Sequence, residues 1–224
     1  MKFRNECKHH VTEFDLIGLR ERLKVIAKKD NFSTDNGKYL IKSLYFDNCY
    51  DMALREKEIG ISNREKFRIR YYNNDTSFIR LEKKSKISGL CSKESVQISK
   101  EEVSLILNGD IAWMQTSDRE LVCELWAKMR YQLLRPKNIV VYDREAYVYH
   151  PGNVRVTIDS NIRGSANINN FLTGDETDLK LFNHSILEVK WDEFLPQIIK
   201  DAVQLGNVRT SNFSKYAATR FSAF

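Results

Sequence analysis

Between positions 64 and 71 the chain reads Arg-Glu-Lys-Phe-Arg-Ile-Arg-Tyr, with a basic side chain at every second position: Arg64, Lys66, Arg68 and Arg70. Residues two apart on a β-strand project from the same face, so these four cations share one side. Other strand-like runs repeat the pattern. Arg4, Glu6, Lys8 and His10 share a face, as do Arg80, Glu82, Lys84 and Lys86. The same holds for Tyr142 with Arg144, for Arg155, Thr157 and Asp159, and for Glu188 with Lys190. Leu187, Val189 and Trp191 occupy the opposite face of the last run. On a single strand, a charged face is the solvent side of a half-buried sheet. Six such strands constrain the fold further. Like charges aligned on one face destabilise a sheet unless an anion lies between them, and a solvent face normally mixes both signs. Removing Arg68 and Arg70 is therefore expected to relieve repulsion in the unliganded protein. Arginine is also the planar, bidentate reader of phosphate. A barrel with an apolar outside covered by helices and a charged lumen satisfies both periodicities. Such a lumen suits a polyanion together with a few metal-binding carboxylates.

Composition narrows the alternatives. The 224 residues carry 36 Lys+Arg against 30 Asp+Glu, a net charge of +6. That length predicts a single domain over residues 1–224. A hydrophobic fraction of 42% supports a substantial core and excludes whole-chain disorder. No apolar run approaches the ~18 residues of a membrane-spanning helix, and Met1 to Glu6 contain no apolar stretch of a secretory signal. These features predict a cytoplasmic protein. Cys7, Cys49, Cys91 and Cys123 form no Cys-x-x-Cys pair and read as reduced thiols. The four histidines lack zinc-ligand spacing. The phosphate-binding glycine loops and the nucleophile elbow are absent from the sequence.

Helix signals punctuate the strands. Thr12 caps a helix over about 13–28 with Phe14, Ile17, Leu23 and Ile26 as its apolar stripe. Asn48 opens a second helix that Gly60 closes. Ser99 with Glu102 forms a capping box for a helix ending at Asn108-Gly109. Another runs from Asp118 to Leu134 before Pro136, and a last one from Pro196 to Leu205 before Gly206. Strands are expected over 3–11, 39–47, 64–72, 78–84, 93–99, 139–149, 154–158 and 185–191. Asp47 reads as a turn or capping residue, and Trp113, Trp126 and Trp191 as packing residues. Many hairpin-spaced strands with helices between groups indicate an antiparallel α+β fold.

At these residues the chain resembles the VTC (vacuolar transporter chaperone) domain, the polyphosphate polymerase branch of the triphosphate tunnel metalloenzymes. The matching segments are Arg4-x-Glu6-x-Lys8, Ser43-Leu44-Tyr45-Phe46-Asp47-Asn48, Arg68-Ile69-Arg70, Glu82-x-Lys84 and Tyr142-x-Arg144. They continue with Arg155-x-Thr157-x-Asp159, Leu187-Glu188-Val189-Lys190 and Phe213-Ser214-Lys215-Tyr216. The resemblance implies an antiparallel eight-stranded β-barrel tunnel with flanking helices, open at both ends. It also implies transfer of the γ-phosphate of ATP to a growing polyphosphate chain, with Mn²⁺ or Mg²⁺.

Carried over by position, the resemblance makes Arg68, Arg70, Lys84, Arg144, Arg155 and Lys215 the catalytic cations. It makes Lys8, Lys93, Tyr142, Arg64, Lys66 and Lys190 substrate contacts, with Tyr142 near the nucleotide. Glu188 becomes the metal ligand, with Glu6 and Glu82 as secondary candidates. Arg4 stands where the adenylate cyclase and thiamine-triphosphatase relatives carry the first Glu of Glu-x-Glu-x-Lys, which favours the VTC branch. Asn212 stands where some members have a second lysine. The expected partners are ATP and polyphosphate, without nucleic acid, together with a membrane protein that the sequence does not identify. An inorganic triphosphatase on the same fold and a non-catalytic polyanion binder are the alternatives. Against the binder, Glu6, Glu82 and Glu188 share the basic faces and would repel a phosphate backbone unless a metal intervened.

Overall fold

A computed structural model describes residues 4–30, 37–88, 90–174, 180–182, 185–204 and 213–221. In chain order the elements are β1 (Asn5–Val11), α1 (Glu13–Ile26), β2 (Lys28–Lys29), β3 (Tyr39–Asp47), α2 (Met52–Ile59), β4 (Arg64–Tyr72), β5 (Asp75–Ile87) and β6 (Leu90–Ile98). They continue with α3 (Lys100–Asn108), α4 (Glu120–Tyr131), β7 (Arg135–Tyr149), β8 (Val154–Ser165), β9 (Lys180–Phe182), β10 (Ser185–Trp191), α5 (Gln197–Val203) and α6 (Lys215–Phe221). Phe3, Gly206 and Asn212 lie outside the described residues.

Local chemistry sets these boundaries. Thr12 and Asp15 exchange side-chain and backbone hydrogen bonds at the start of α1, and Ser99 and Glu102 do the same at α3. Gly60 and Gly109 end α2 and α3 at φ of 79° and 82°, where a Cβ would be strained. Asn73 and Asn74, both at positive φ, form the two-residue turn that folds β4 back on β5. Asp47 caps α2 by accepting from the Ala53 and Leu54 amides.

All strand pairs are antiparallel, in the order β1-β10-β8-β7-β3-β4-β5-β6. A bridge between Arg4 and Cys91 brings the two edges together, so the sheet curls through nearly a full turn. The fold is the α+β, eight-stranded antiparallel tunnel expected from the sequence, with β2 and β9 as short additions on β7 and β8. One outer core packs β3 to β7 against α3 and α4, and Trp113 and Trp126 pack against it. A second packs β1, β8 and β10 under α1 and α5, with Trp191 against it. A third lies inside, where Ile41, Tyr142, Ile162 and Ile186 meet Tyr216 of α6. The interior is therefore not an unbroken charged channel: an apolar layer stands beside the charged cavity.

Three sequence expectations shift. In α1 the buried stripe is Leu16, Leu19 and Leu23, whereas Phe14 and Ile17 are exposed. The helix expected from Asp118 to Leu134 is shorter, and Pro136 does not follow a helix but lies in β7 opposite Phe46. The β3–β7 register shifts there, which tolerates the missing amide donor. β5 and β8 are longer than expected.

Candidate active site in the barrel lumen

The inward strand faces enclose a cavity of about 670 Å³, lined among the described residues by thirteen Lys and Arg side chains and three Glu. Of the expected site residues, Lys8, Arg64, Lys66, Arg68, Arg70, Lys84, Lys93, Tyr142, Arg144, Lys190, Lys215, Glu6, Glu82 and Glu188 all line it. Arg155 shares the inward face of β8 but does not line this cavity. Its guanidinium pairs with Asp30 and donates to the Tyr39 hydroxyl at 3.0 Å. Residue parity identifies a strand's face but not how far along the barrel a long side chain reaches. The lining also includes Arg4, Tyr45, Lys57, Lys86 and Phe213. Lys57 comes from α2, and no strand periodicity could have exposed it.

The three carboxylates distribute the cations. Glu82 is 2% exposed. Arg68 meets it at 2.7 and 2.6 Å, Arg70 at 4.0 Å, and Lys93 also pairs with it. Burial raises the Glu82 carboxyl, but Arg68 and Arg70 overcome that and hold it far below the usual range. Glu6 binds Lys84 through both oxygens at 3.0 Å and stands 3.6 Å from Lys8. Burial opposes ionisation of Glu6, yet Lys8 and Lys84 bring its pKa down to about 2. Glu188 faces Lys8 and Lys190, each at 3.4 Å, and Arg144 at 3.8 Å. Burial again works against its ionised form, and Lys190 and Lys8 override it to leave a strong carboxylate.

Buried contacts fix the cations from behind. Arg144 donates twice to Asp159, which also pairs with Lys215 at the start of α6. Asp159 is fully buried, and sequence parity marked it only as a neighbour of Arg155 on the same face. Arg70 donates to Ser43 Oγ at 2.9 Å and to the Tyr142 hydroxyl at 3.0 Å. The Tyr142 ring also faces Arg144 and Lys215, with centroid distances of 5.3 and 4.8 Å. Tyr142 is 1% exposed and stands where these three cations meet the inner apolar core.

Several groups titrate far from their usual range. Burial takes the Lys66 ammonium down to about 8. Glu188 pulls Lys190 upward, but burial and Lys84 prevail and leave it at about 8. Burial raises the Tyr45 phenol, but Arg68 and Arg70 outweigh it and set it at about 8. These shifts reflect burial together with positive potential in a confined space.

The donor set fits a divalent metal only in combination with a ligand. No group of three His, Cys, Asp or Glu among the described residues is placed to hold a metal ion. Glu188 and Glu6 nonetheless flank the same two lysines, Lys8 and Lys190, and the Glu188 ion pairs span a loose 3.4–3.8 Å. Two carboxylates completed by phosphate oxygens and waters suit a hard cation such as Mg²⁺ or Mn²⁺. The Glu82 oxygens are already engaged by guanidinium and ammonium groups.

Comparison with known proteins agrees with this geometry. The family model of the VTC domain matches residues 3–224. The chain belongs to the VTC domain family. No curated protein sequence matches it. Among solved structures, a Bacillus halodurans protein described as a candidate adenylate cyclase superposes with a TM-score of 0.51 at 13% identity, covering 99% of this chain and 87% of that one. A Pyrococcus horikoshii protein gives 0.53 at 11% identity over 96% of this VTC chain and 98% of its own. A conserved protein from Pyrococcus furiosus gives 0.51 at 10%, over 96% and 99%. At such identities the shared property is the tunnel fold. No helix among the described residues of the VTC chain is long and apolar enough to cross a membrane.

Proposed function

We propose that this VTC domain is a metal-dependent polyphosphate polymerase that transfers the γ-phosphate of ATP to the end of a polyphosphate chain. The observation that carries the reading is a cavity with thirteen cations around three carboxylates, two of which, Glu6 and Glu188, face common lysines. A bound triphosphate carries about four negative charges, and fixed guanidinium and ammonium groups spread contacts over its oxygens. Arg68, Arg70, Arg144 and Lys215 are held by buried partners and need little reorganisation as charge moves during transfer.

In the reaction, an oxygen of the terminal chain phosphate attacks the γ-phosphorus. The bond between that phosphorus and the β–γ bridging oxygen breaks, and ADP leaves with the electron pair. The attacking group is already an anion at neutral pH, so the reaction calls for no dedicated general base. Glu188, assisted by Glu6, would hold the divalent metal, which neutralises phosphate charge and acts as a Lewis acid. Lys84 and Lys93 neutralise neighbouring oxygens, while Lys8 and Lys190 balance the metal-binding carboxylates. The test is incubation with ATP and Mn²⁺ followed by polyacrylamide electrophoresis. A ladder of long polyphosphate that EDTA abolishes supports the polymerase. Orthophosphate as the sole phosphate product with ADP supports a triphosphatase, and binding without turnover supports a polyanion-binding module.

A further inference from the structure

Helix α1 carries two apolar faces, and the barrel uses one of them. Leu16, Leu19 and Leu23 are buried in the second outer core. On the opposite side Phe14 and Val25 are each 85% exposed, and Ile17 is 62% exposed. Positions 14, 18, 21 and 25 follow at helical spacing, so Phe14, Gly18, Glu21 and Val25 form one ridge along the helix, with Ile17 beside it. Single exposed apolar side chains are ordinary on a protein surface, but three on the outermost face of one helix form a patch that suits a partner. Gly18 is an independent observation. Glycine inside a helix destabilises it relative to alanine. Among the described residues nothing lies within 4 Å of where a Cβ at Gly18 would stand. Packing within one chain therefore gives no reason for a glycine here, whereas close approach from outside does. The ridge is also symmetric about its midpoint between residues 19 and 20. Phe14 and Val25 lie equally far from that point, and so do Gly18 and Glu21. A two-fold axis there sets Phe14 against Val25 of a second copy and the gap at Gly18 against its Glu21 side chain. Glu21 is already paired with Lys24 at 2.6 Å. Asp15 and Arg22, seven residues apart, share one flank of the helix. An antiparallel copy brings Asp15 opposite Arg22, whereas a parallel copy stacks like charges. A lipid surface fits less well. An interfacial helix has a polar face rich in Lys and Arg, and here Glu13, Asp15 and Glu21 would meet anionic headgroups.

We propose that the exposed ridge of α1 is the contact surface of a homodimer, in which two copies pack their α1 helices antiparallel about a two-fold axis between Gly18 and Glu21. The occupant of the ridge is a second copy of this chain. The ridge faces away from the wall formed by β1, β8 and β10, so the assembly leaves the lumen open. It holds whatever reaction the lumen performs.

The experiment is analytical sedimentation of the full chain across about two decades of concentration, with thermal melts of the dilute monomer. Wild-type protein should show a reversible monomer–dimer equilibrium. Val25→Glu and Phe14→Ser, measured singly, should each weaken the dimer at least about tenfold. Neither should lower the melting temperature of the dilute monomer, because both side chains are exposed there. Gly18→Ala should move the two readouts in opposite directions. The dilute monomer should melt higher, because alanine favours the helix. The dimer should dissociate severalfold more readily, because the added methyl holds the two helices apart. A role confined to the fold of one chain would move only the melt. Wild-type protein that stays monomeric throughout, or a dimer indifferent to all three substitutions, overturns the proposal. Monomer that instead binds vesicles of phosphatidylcholine and phosphatidylglycerol, and loses them on Val25→Glu, assigns the ridge to a lipid surface and also overturns it.

Discussion

Asp159 on β8 receives two hydrogen bonds from Arg144 on β7, from Nε at 2.6 Å and from Nη2 at 2.8 Å. The same carboxylate pairs with Lys215, so one fully buried acid sets the position of two cavity cations from different parts of the chain. Asp159→Asn removes the close counter-charge of both buried cations and leaves Arg144 only the looser Glu188 contact at 3.8 Å. The expected cost is about 3–5 kcal/mol of stability, read by chemical denaturation. In whatever fraction remains folded, triphosphate affinity should fall as Arg144 and Lys215 lose their fixed positions. Wild-type stability and affinity would show that neither cation depends on Asp159.

Gly164 permits the close approach of α6. A Cβ there would lie 2.5 Å from both Cβ and Cγ2 of Thr219, which is itself bonded to Asn138 at 2.6 Å. Gly164→Ala should displace α6 and with it Lys215, lowering stability by about 1–3 kcal/mol. A thermal melt and a triphosphate titration on the same sample check both consequences. An unchanged melt would show that α6 can shift without cost.

Removal of Arg68 and Arg70 has an outcome that sequence alone inverted. The β4 pattern suggested that losing these charges relieves repulsion. The structure shows Arg68, with Arg70 behind it, neutralising the buried Glu82. The double alanine variant should therefore lose stability as well as triphosphate protection, because Glu82 would retain only Lys93. A melt higher than wild type would restore the repulsion argument.

Two pH effects run in opposite directions. Lys66 and Lys190 titrate at about 8 in the folded protein rather than near 10.5, and Tyr45 at about 8 rather than 10. Between pH 8 and 10 these three groups hold more protons in the unfolded chain than in the folded one, so their contribution to the stability of the empty protein rises with pH. Triphosphate affinity falls over the same interval as the cavity loses positive charge. At the acid end, Glu6 has a folded value of about 2 against 4.5, so its contribution is present above pH 4.5 and is lost as pH falls towards 2. Melting temperature and affinity, each measured against pH, test the two signs independently.

In the proposed reaction the metal-binding role falls to Glu188. Glu188→Gln retains size but removes the charge that faces Lys8 and Lys190. Metal-dependent turnover should fall roughly a hundredfold or more across a Mn²⁺ titration. Turnover equal to wild type at ordinary Mn²⁺ would transfer the role to Glu6.

The sequence made the strand faces legible because a charged residue at every second position leaves little doubt about orientation. β3, β4 and β10 fall at their expected limits, and Glu188, Arg68 and Arg70 point inward as their parity requires. Position along the barrel was not legible, and Arg155 shows why: its face follows from period two, but its contacts with Asp30 and Tyr39 depend on where β2 and β3 lie. In α1 two apolar stripes interleave, and the tertiary choice of Leu16 and Leu19 over Phe14 and Ile17 has no local signal. Lys57 and Asp159 were missed as site components for the same reason. Their significance arises from α2 and α6 packing on the barrel, which residue spacing does not encode.

If this VTC domain is the proposed polymerase, the phosphate leaving ATP is incorporated into a chain rather than released into water. Quantitative phosphorus NMR of the protein with ATP and a catalytic amount of Mn²⁺ measures this directly, because chain-internal, terminal and free phosphates give separate signals. One phosphate should enter the chain signals for each ADP formed, with free orthophosphate a minor product and no reaction in EDTA. Stoichiometric orthophosphate with no chain-internal signal would contradict it.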